Sequence, residues 1–330
     1  MLTCSVLEKC LVLAAALGLG LCSPSTVHAE DKYPSKPIKI VVPFSPGGGI
    51  DVLARTIGQK LGDRWKVPVV VENRPGASGN IGTELAAKSP ADGYTFLMTA
   101  NTIIIVPSLF KSVPYDPIKD FEPTAELALG SLALVAPTTF PAKTVKELTV
   151  LAKSQPGKLN YGSPGNGTPH HLAMELLKQR LGIDMVHVPY KGSGGLVTDV
   201  IGGQVDLAFL PVHQALAHVT AGKMSMLAAG GSKRTAVTPD IPSLEEAAGI
   251  NDIDIDMWYG LYLPAGTPKD VVEKVSNEVN AILRLPEVGA SLKQVGLQPN
   301  GSTPDQLAER TRTDFARWAK LIQQSKLTAD

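Results

Sequence analysis

Two nearly identical glycine-rich segments, SPGGG at Ser45–Gly49 and SPGNG at Ser163–Gly167, are the parts of this chain whose residue types best suit ligand binding. Each follows a short apolar run and precedes a stretch in which apolar residues recur with helical spacing. After the second, Thr168 is the predicted helix N-cap, with Pro169 at the first helical position. The N–H groups at a helix N-terminus favour negative charge, and glycine lets a ligand come close to the backbone. These first and second SPG loops are therefore either anion-binding loops at strand-to-helix turns or simply tight turns.

Neither SPG loop has the sequence of a nucleotide-binding loop or of a nucleophile elbow. Neither is followed by the Lys-Ser/Thr of a P-loop, and neither matches G-x-G-x-x-G with an acidic residue at the next strand end. The stretch YGSPG lacks the glycine two residues before Ser163 that a nucleophile elbow has. Asp51 lies in the first turn of its helix, where it is expected to cap the loop or complement the helix dipole. We therefore predict no catalytic residue and no enzymatic activity.

The histidines do not form a metal-binding pattern. His170 and His171 are neighbours at the start of a helix, so their side chains point in different directions, and His213 and His218 are five residues apart. His171 could hydrogen-bond within the second SPG loop, whereas helix packing is the expected role of His170. We predict no metal site and no cofactor.

A third glycine-rich turn, Lys191–Gly195, lies in the stretch VPYKGSGGLVTDVIGGQVDLAF. Lys191 is either a partner for an anionic ligand or a solvated surface lysine. Asp206 either caps a neighbouring turn or faces the ligand crevice. The sequence leaves both questions open.

Strand and helix patterns alternate along most of the chain, which predicts an α/β fold with largely parallel sheets. The run IKIVVPF predicts a buried strand, and the following segment places Ile50, Leu53 and Ile57 on one helical face. In open α/β sheets the ligand crevice lies beyond the carboxyl ends of the strands, and both SPG loops are expected there.

The composition is that of a folded globular protein, with 330 residues of which 44% are hydrophobic and 19% charged. This length is sufficient for two lobes, each with its own core. Lys plus Arg and Asp plus Glu both total 31, so no net charge attracts nucleic acid. We therefore predict no nucleic-acid partner.

Residues 1–29 have the pattern of a secretory signal peptide, with the apolar run CLVLAAALGLGLC and suitable cleavage-site residues at Val27 and Ala29. The mature chain would then begin at Glu30. The alternative is a membrane anchor, but the run is short for spanning a bilayer. The cysteines, Cys4, Cys10 and Cys22, all lie in this segment. The mature protein would therefore have neither a disulfide nor a thiolate metal site.

Five long stretches together resemble the Bug, or TctC-like, solute receptors of tripartite tricarboxylate transporters. They are YPSKPIKIVVPFSPGGGIDVLAR, VVVENRPGASGNIGTELAAKSPADGYTFLM, YGSPGNGTPHHLAMELLK, VPYKGSGGLVTDVIGGQVDLAF and WYGLYLPAGTPKDVVEKV. Because they occur in order and the resemblance extends over essentially the whole chain from Glu30, it is far more specific than either SPG loop alone.

The resemblance implies a two-lobed α/β fold like that of type II periplasmic binding proteins, with a hinge and a ligand cleft between the lobes. The first lobe would comprise residues 30–131 and 257–330, and the second lobe residues 132–256. The two SPG loops would face each other across the cleft and hold one ligand carboxylate, partly through bound water.

The resemblance also implies a set of ligand-binding residues. Those in the first lobe are Phe44, Gly47, Gly48, Gly49 and Asn101. Those in the second lobe are Ser163, Asn166, Gly167, Thr168, Tyr190 and Asp206, with His171 supporting the loop.

Two positions depart from the usual family pattern. Family members often have Ala where this chain has Pro46, and a polar residue where Leu210 follows Phe209. We therefore predict that the far end of the pocket is less polar than in dicarboxylate receptors.

The function implied is that of an extracytoplasmic receptor, exported to the periplasm, that closes on a small carboxylate-containing ligand. It would act as a monomer and deliver this ligand to the membrane subunits of a tripartite tricarboxylate-type transporter. An orphan periplasmic sensor that acts through a membrane signalling protein would use the same site, so the sequence does not separate these two functions. A secreted hydrolase is the third hypothesis.

Overall fold

The structure is a computed structural model that describes residues 33–190, 192–235, 237–251, 253 and 255–325. The predicted signal peptide and its cleavage site at Ala29–Glu30, as well as Lys191, lie outside the described residues. No helix of the described part is both long and apolar enough to cross a membrane.

Strands and helices alternate as predicted over much of the described chain. The strands are β1 (Ile38–Val42), β2 (Val69–Asn73), β3 (Thr95–Ala100), β4 (Phe121–Gly130), β5 (Leu132–Pro137), β6 (Asn160–Ser163), β7 (Val186–Pro189), β8 (Leu207–Pro211), β9 (Met224–Ala229), β10 (Met257–Pro264) and β11 (Leu297–Pro299). The helices are α1 (Gly49–Trp65), α2 (Asn80–Ala87), α3 (Thr102–Ile105), α4 (Val145–Ser154), α5 (Pro169–Leu181), α6 (Ser193–Ile201), α7 (Val212–Thr220), α8 (Leu244–Ala248), α9 (Lys269–Leu283), α10 (Pro286–Gln294) and α11 (Pro304–Ser325). Short 3₁₀ turns lie at Ala77–Gly79 and Val106–Ser108.

The strands form two sheets, and the chain passes between them twice. The first sheet has the order β11-β4-β10-β3-β1-β2, and the second has the order β7-β6-β8-β5-β9. Ser131 alone separates β4 from β5, and the chain returns to the first sheet between β9 and β10. The strands of the second sheet thus fall within the predicted second lobe, although the exact lobe limits, 30–131 plus 257–330 and 132–256, remain predictions.

Both sheets are mixed, so the prediction of largely parallel sheets is wrong. β1 pairs in parallel with β2 and β3, and β6 pairs in parallel with β7 and β8. In contrast, β10 runs antiparallel to β3 and β4, and β5 runs antiparallel to β8 and β9. A parallel neighbour requires a crossover within the same sheet, whereas β5 and β10 each enter their sheet from the other one.

The C-terminal helix α11 is attached to the first sheet by buried polar contacts as well as by apolar packing. The indole of Trp258 donates to Asp314 over 2.8 Å, and Arg310 forms a 3.0 Å ion pair with the buried carboxylate of Glu126. Burial raises the pKa of Glu126 although Arg310 acts in the opposite direction. Leu172 of α5 belongs to the same apolar cluster as Trp318 of α11, so second-sheet and first-sheet elements share a core.

Candidate binding site between the glycine-rich loops

The first SPG loop connects β1 to α1 and is exposed. Gly47 has a φ of +87°, a conformation that favours glycine, and a Cβ atom added at Gly47 or Gly48 would meet nothing within 4 Å. The first N–H groups of α1 have no partner inside the helix. This helix N-terminus therefore combines hydrogen-bond donors with open space beside Gly48.

Asp51 fixes the first SPG loop, as the sequence predicted. Its carboxylate accepts hydrogen bonds from the Gly47 N–H at 3.0 Å, from Arg55 at 3.0 Å and from Asn73 at 2.9 Å. Burial acts to raise the pKa of Asp51, but these hydrogen bonds together hold it below its usual value. Asn73 also donates to the backbone oxygen of Phe44 over 3.1 Å, so the residue before the loop is held by the same side chains.

The second SPG loop connects β6 to α5 and is held by its own side chains. Ser163 is fully buried; its hydroxyl donates to the Gly165 carbonyl over 3.0 Å and accepts from the Gly165 N–H over 3.2 Å. The same hydroxyl lies 2.7 Å from Nε2 of His187. In this conformation the Ser163 hydroxyl therefore stabilises the loop by hydrogen-bonding to its backbone at Gly165.

Thr168 and His171 complete the second SPG loop. Thr168 is the N-cap of α5 with Pro169 at the first helical position, which confirms the sequence prediction. Its hydroxyl accepts from the His171 N–H at 3.4 Å and donates to the Gly165 carbonyl at 2.8 Å. Nδ1 of His171 accepts from the Gly167 N–H at 3.1 Å, so His171 hydrogen-bonds within the loop as predicted.

The second SPG loop contacts residues of the first-sheet region. The hydroxyl of Ser78 donates to the backbone oxygen of Asn166 over 2.9 Å. A Cβ atom at Gly167 would lie 2.7 Å from a methyl group of Leu109, so only a glycine allows this close approach without a shift. Ser78 follows β2, and Leu109 follows β3, so the loops at the carboxyl ends of two first-sheet strands meet the second SPG loop.

Asn101 is buried at the end of β3, with 1% of its surface exposed. Its N–H donates to the carbonyl of Trp258 over 3.0 Å, but its side-chain Oδ1 has no hydrogen-bond partner among the described residues. Oδ1 of Asn80, at the start of α2, is likewise buried without a partner in this part of the chain. A buried polar atom without a partner costs about 1–3 kcal/mol. Both amides are therefore groups whose hydrogen bonding a ligand or water can complete.

Phe44 and Tyr190 lie beside the loops and pack against glycines. The ring of Phe44 lies 3.5 Å from the position of a Cβ atom at Gly79. The N–H of Tyr190 donates to the Ser163 carbonyl over 2.9 Å, and its hydroxyl donates to Asp199 over 2.5 Å. Burial, and secondarily the hydrogen bond to Asp199, raises the pKa of Tyr190 to about 12. Tyr190 thus supports the second SPG loop and remains protonated at neutral pH.

Asp206 and Leu210 do not face the predicted ligand crevice. Asp206 precedes β8, at the amino end of the strand, where it accepts from the Asn160 N–H at 2.8 Å. The SPG loops lie at the carboxyl ends of their strands, whereas Asp206 joins the amino ends of β6 and β8 at the opposite edge, so it is not brought to the loops. Leu210 is fully buried in the second-sheet core with Ala133 and Val135. This packing removes the basis for predicting a less polar far end of the pocket.

Two residues that the sequence prediction missed are central to the loops, namely His187 and Ser78. His187 lies in the strand stretch MVHVPY, but a single histidine on a strand gives no signal of its partner. Ser78 lies in PGASGN, a glycine-rich turn after a strand like the SPG loops, and this similarity could have identified it.

A cavity of about 370 Å³ lies between α7 and the end of α10. Its lining contains none of the predicted ligand residues: it is formed by His213, Leu216, Ala217, Thr220, Val237, Lys293 and Gln294. Within the described residues, no group of three His, Cys, Asp or Glu side chains is placed to hold a metal ion.

Two α/β sheets linked by two crossings, with glycine-rich loops at the carboxyl ends of their strands, define the two-lobed fold of periplasmic solute-binding proteins, and solved structures of such proteins match this chain. The tripartite tricarboxylate transporter family receptor model, TctC, matches residues 53–327. The chain therefore belongs to this family, whose receptors are periplasmic binding proteins.

Individual relatives agree with this assignment. Protein BugT of Bordetella pertussis is 32% identical over 95% of this chain and 97% of its own length. The Rhodopseudomonas palustris protein Rpa4515, solved with adipate, is 31% identical with a TM-score of 0.84, covering 90% of this chain and 99% of that one. MatC of Rhodopseudomonas palustris, solved with bound malate, is 29% identical with a TM-score of 0.80, covering 88% of this chain and 100% of that one.

Proposed function

We propose that this protein is a solute-binding receptor that closes on a small carboxylate-containing ligand and delivers it to the membrane subunits of a tripartite tricarboxylate-type transporter. Residues 1–29 would direct export and be removed after Ala29, and the mature protein would act in the periplasm as a monomer. It would perform no catalysis and need no cofactor. The solved relatives with adipate and with malate support a carboxylate as the ligand class.

The observation that carries this proposal is the exposed helix N-terminus at the first SPG loop. Space is open beside Gly48, and the dipole of α1 favours an anion there. The Asp51 carboxylate accepts a hydrogen bond from the backbone N–H of Gly47, and its other two donors are the side chains of Arg55 and Asn73. The amides of Gly48 and Gly49 would then bind a carboxylate directly or through water.

The contacts of the second SPG loop support a site that depends on both lobes. Ser78 and Asn166 join the two regions by one hydrogen bond, and Gly167 packs on Leu109. A ligand held between these loops would contact both lobes only when they are closed, so its binding energy would stabilise the closed state.

Titration calorimetry with adipate, malate, benzoate and the uncharged adipamide tests this function. We expect at least one of the three acids to bind and adipamide to bind much more weakly, because it lacks the carboxylate. Binding of none of the acids, or equal binding of adipate and adipamide, would refute the proposed carboxylate site.

Substitution of Gly48 by Val locates the site. Gly48 has a φ of −80°, which any residue adopts, so the variant should fold normally while its branched side chain occupies the space beside the helix N-terminus. The side chain should keep the carboxylate from reaching a backbone N–H. The loss of one hydrogen bond to a charged oxygen weakens binding by about 1.5–3 kcal/mol, or roughly tenfold to a hundredfold in affinity. Gly289→Val in α10 is the control, since a Cβ atom there has no neighbour closer than 4.0 Å and no predicted ligand residue lies in that helix. Equal affinities of the two variants would show that the first SPG loop does not bind the ligand.

A further inference from the structure

His187 is placed by strand pairing directly beneath the second SPG loop. β6 and β7 run in parallel with Tyr161 opposite His187, and the two rings stack with centroids 4.8 Å apart and an interplanar angle of 20°. From this position Nε2 of His187 lies 2.7 Å from the hydroxyl of Ser163. The imidazole tautomer sets the direction of this hydrogen bond: Nε2–H donates to the Ser163 hydroxyl, whereas an unprotonated Nε2 accepts from it.

His171 stacks on His187 and holds a second point of the same loop. The two imidazole rings have centroids 4.0 Å apart and an interplanar angle of 11°. Nδ1 of His171 accepts from the Gly167 N–H at 3.1 Å, which requires the unprotonated nitrogen. The rings of Tyr161, His187 and His171 therefore form one stack with two hydrogen bonds to the loop.

The charged groups around the stack come from α5. Lys178 forms a 2.6 Å ion pair with Glu175, whose carboxylate also accepts from the Tyr161 hydroxyl. Burial lowers the pKa of His171 to about 4, with a smaller contribution from Lys178. Burial also lowers the pKa of His187 to about 4; His171 and Lys178 act in the same direction and Glu175 opposes them. Both imidazoles are neutral at pH 7, the form that this stack and its hydrogen bonds need.

We propose that His187 is a positioning residue of the binding site, which sets the conformation of the second SPG loop by holding the Ser163 hydroxyl and by stacking on His171. The expected effect of His187 on ligand binding rests on the proposed function, whereas its effect on the loop conformation needs no ligand. No direct contact between His187 and the ligand is needed.

Two substitutions separate the hydrogen bond of His187 from its stacking. His187→Phe keeps an aromatic ring for the stack but cannot hydrogen-bond to Ser163, whereas His187→Gln keeps a side-chain amide that can donate or accept and loses the ring. Ser163→Ala removes the other partner of the hydrogen bond, and the double variant Ser163→Ala/His187→Phe completes a double-mutant cycle.

The deciding readout is amide hydrogen exchange of the unliganded protein at Gly165, measured by nuclear magnetic resonance with the Gly58 amide of α1 as the internal reference. We expect exchange at Gly165 to be about tenfold faster in His187→Phe and close to the parent rate in His187→Gln. In the Ser163→Ala background the Phe substitution should add little. Unchanged exchange in His187→Phe, loss of protection in His187→Gln as large as in Phe, or additive effects in the double variant would overturn the positioning role.

Titration of the same variants with adipate and malate measures the consequence for binding. We expect about tenfold weaker binding for His187→Phe and partial recovery for His187→Gln. If the parent binds neither these two acids nor benzoate, the proposed ligand class is wrong, while the exchange experiment still decides the role of His187. If the parent binds and His187→Phe binds equally well despite altered exchange, the loop conformation does not control affinity and this proposal fails.

Discussion

The first and second SPG loops share four of their five residues and the same strand-to-helix position, but they differ in how they are held. The first loop is exposed and is fixed by one carboxylate, Asp51, which lies after the loop in α1. The second loop is partly buried, most completely at Ser163 and Gly167, and is held by hydrogen bonds of Ser163, Thr168 and His171. The same motif thus forms one exposed loop whose backbone is accessible to a ligand, and one hydrogen-bonded loop that packs against the first-sheet region.

Substitution of the loop glycines gives the largest expected loss of stability. Gly47 and Gly167 both have a positive φ, so Ala at either position costs about 1–2 kcal/mol of backbone strain. At Gly167 the new methyl group would also lie 2.7 Å from Leu109, which should raise the total loss of unfolding free energy to about 2–3 kcal/mol. Urea unfolding of Gly167→Ala and Gly47→Ala measures this difference. Equal losses would show that the second loop is not packed more tightly than the first.

The two serines of the SPG motifs provide the next comparison. Ser163→Ala removes a buried hydroxyl that three groups share, and the expected loss of stability is about 1–3 kcal/mol. Ser45 is exposed, and Ser45→Ala should change stability by less than about 0.5 kcal/mol. Thermal unfolding of both variants without ligand tests this prediction. A Ser45 variant that melts as low as the Ser163 variant would contradict the contrast between the loops.

How far sequence alone can predict these features depends on how local they are. Thr168 capping α5 and Asp51 capping the first loop follow from residue types a few positions apart, and both were predicted. The bonds from His187 to Ser163 and from Ser78 to Asn166 join residues that only the sheet order and the folding of the lobes bring together. Leu210 lies in a strand buried on both faces, whose apolar run has no alternation to indicate which side chains face the core.

The pH dependence of stability should reveal the contribution of neutral His171 to the second SPG loop. The pKa of His171 is lowered to about 4, whereas the unfolded chain has the ordinary value of about 6.5. The unfolded state therefore binds more protons between these values, and the stabilisation by neutral His171 is complete above pH 6.5 and is lost as the pH falls toward 4. Between pH 7 and pH 5 we expect His171 to account for about 1–2 kcal/mol of lost stability.

Urea unfolding at both pH values, with His171→Gln as the comparison, isolates this contribution from that of the other buried histidines. The variant should be less stable at pH 7 but lose less stability on acidification than the parent. An equal pH dependence of parent and variant would exclude His171 as a titrating support of the loop.

The smallest expected effect concerns the hydrogen bond between the lobes. Ser78→Ala removes the 2.9 Å bond to the Asn166 carbonyl and should weaken ligand binding by about 0.5–1.5 kcal/mol, or roughly twofold to tenfold. Ser89→Ala is the control, because its hydroxyl also donates to a carbonyl, that of Leu85, but within one region. Calorimetry with the acid that binds the parent most tightly compares the two. Equal affinities would show that the Ser78 bond contributes nothing to closure.

A crystal structure of the protein with its tightest-binding carboxylate would show whether the two SPG loops hold the ligand. We expect a ligand carboxylate that hydrogen-bonds, directly or through one water, to the amides of Gly48 and Gly49 and to the second SPG loop. A carboxylate bound elsewhere, for example in the cavity between α7 and α10, with the space beside Gly48 left to solvent, would contradict it.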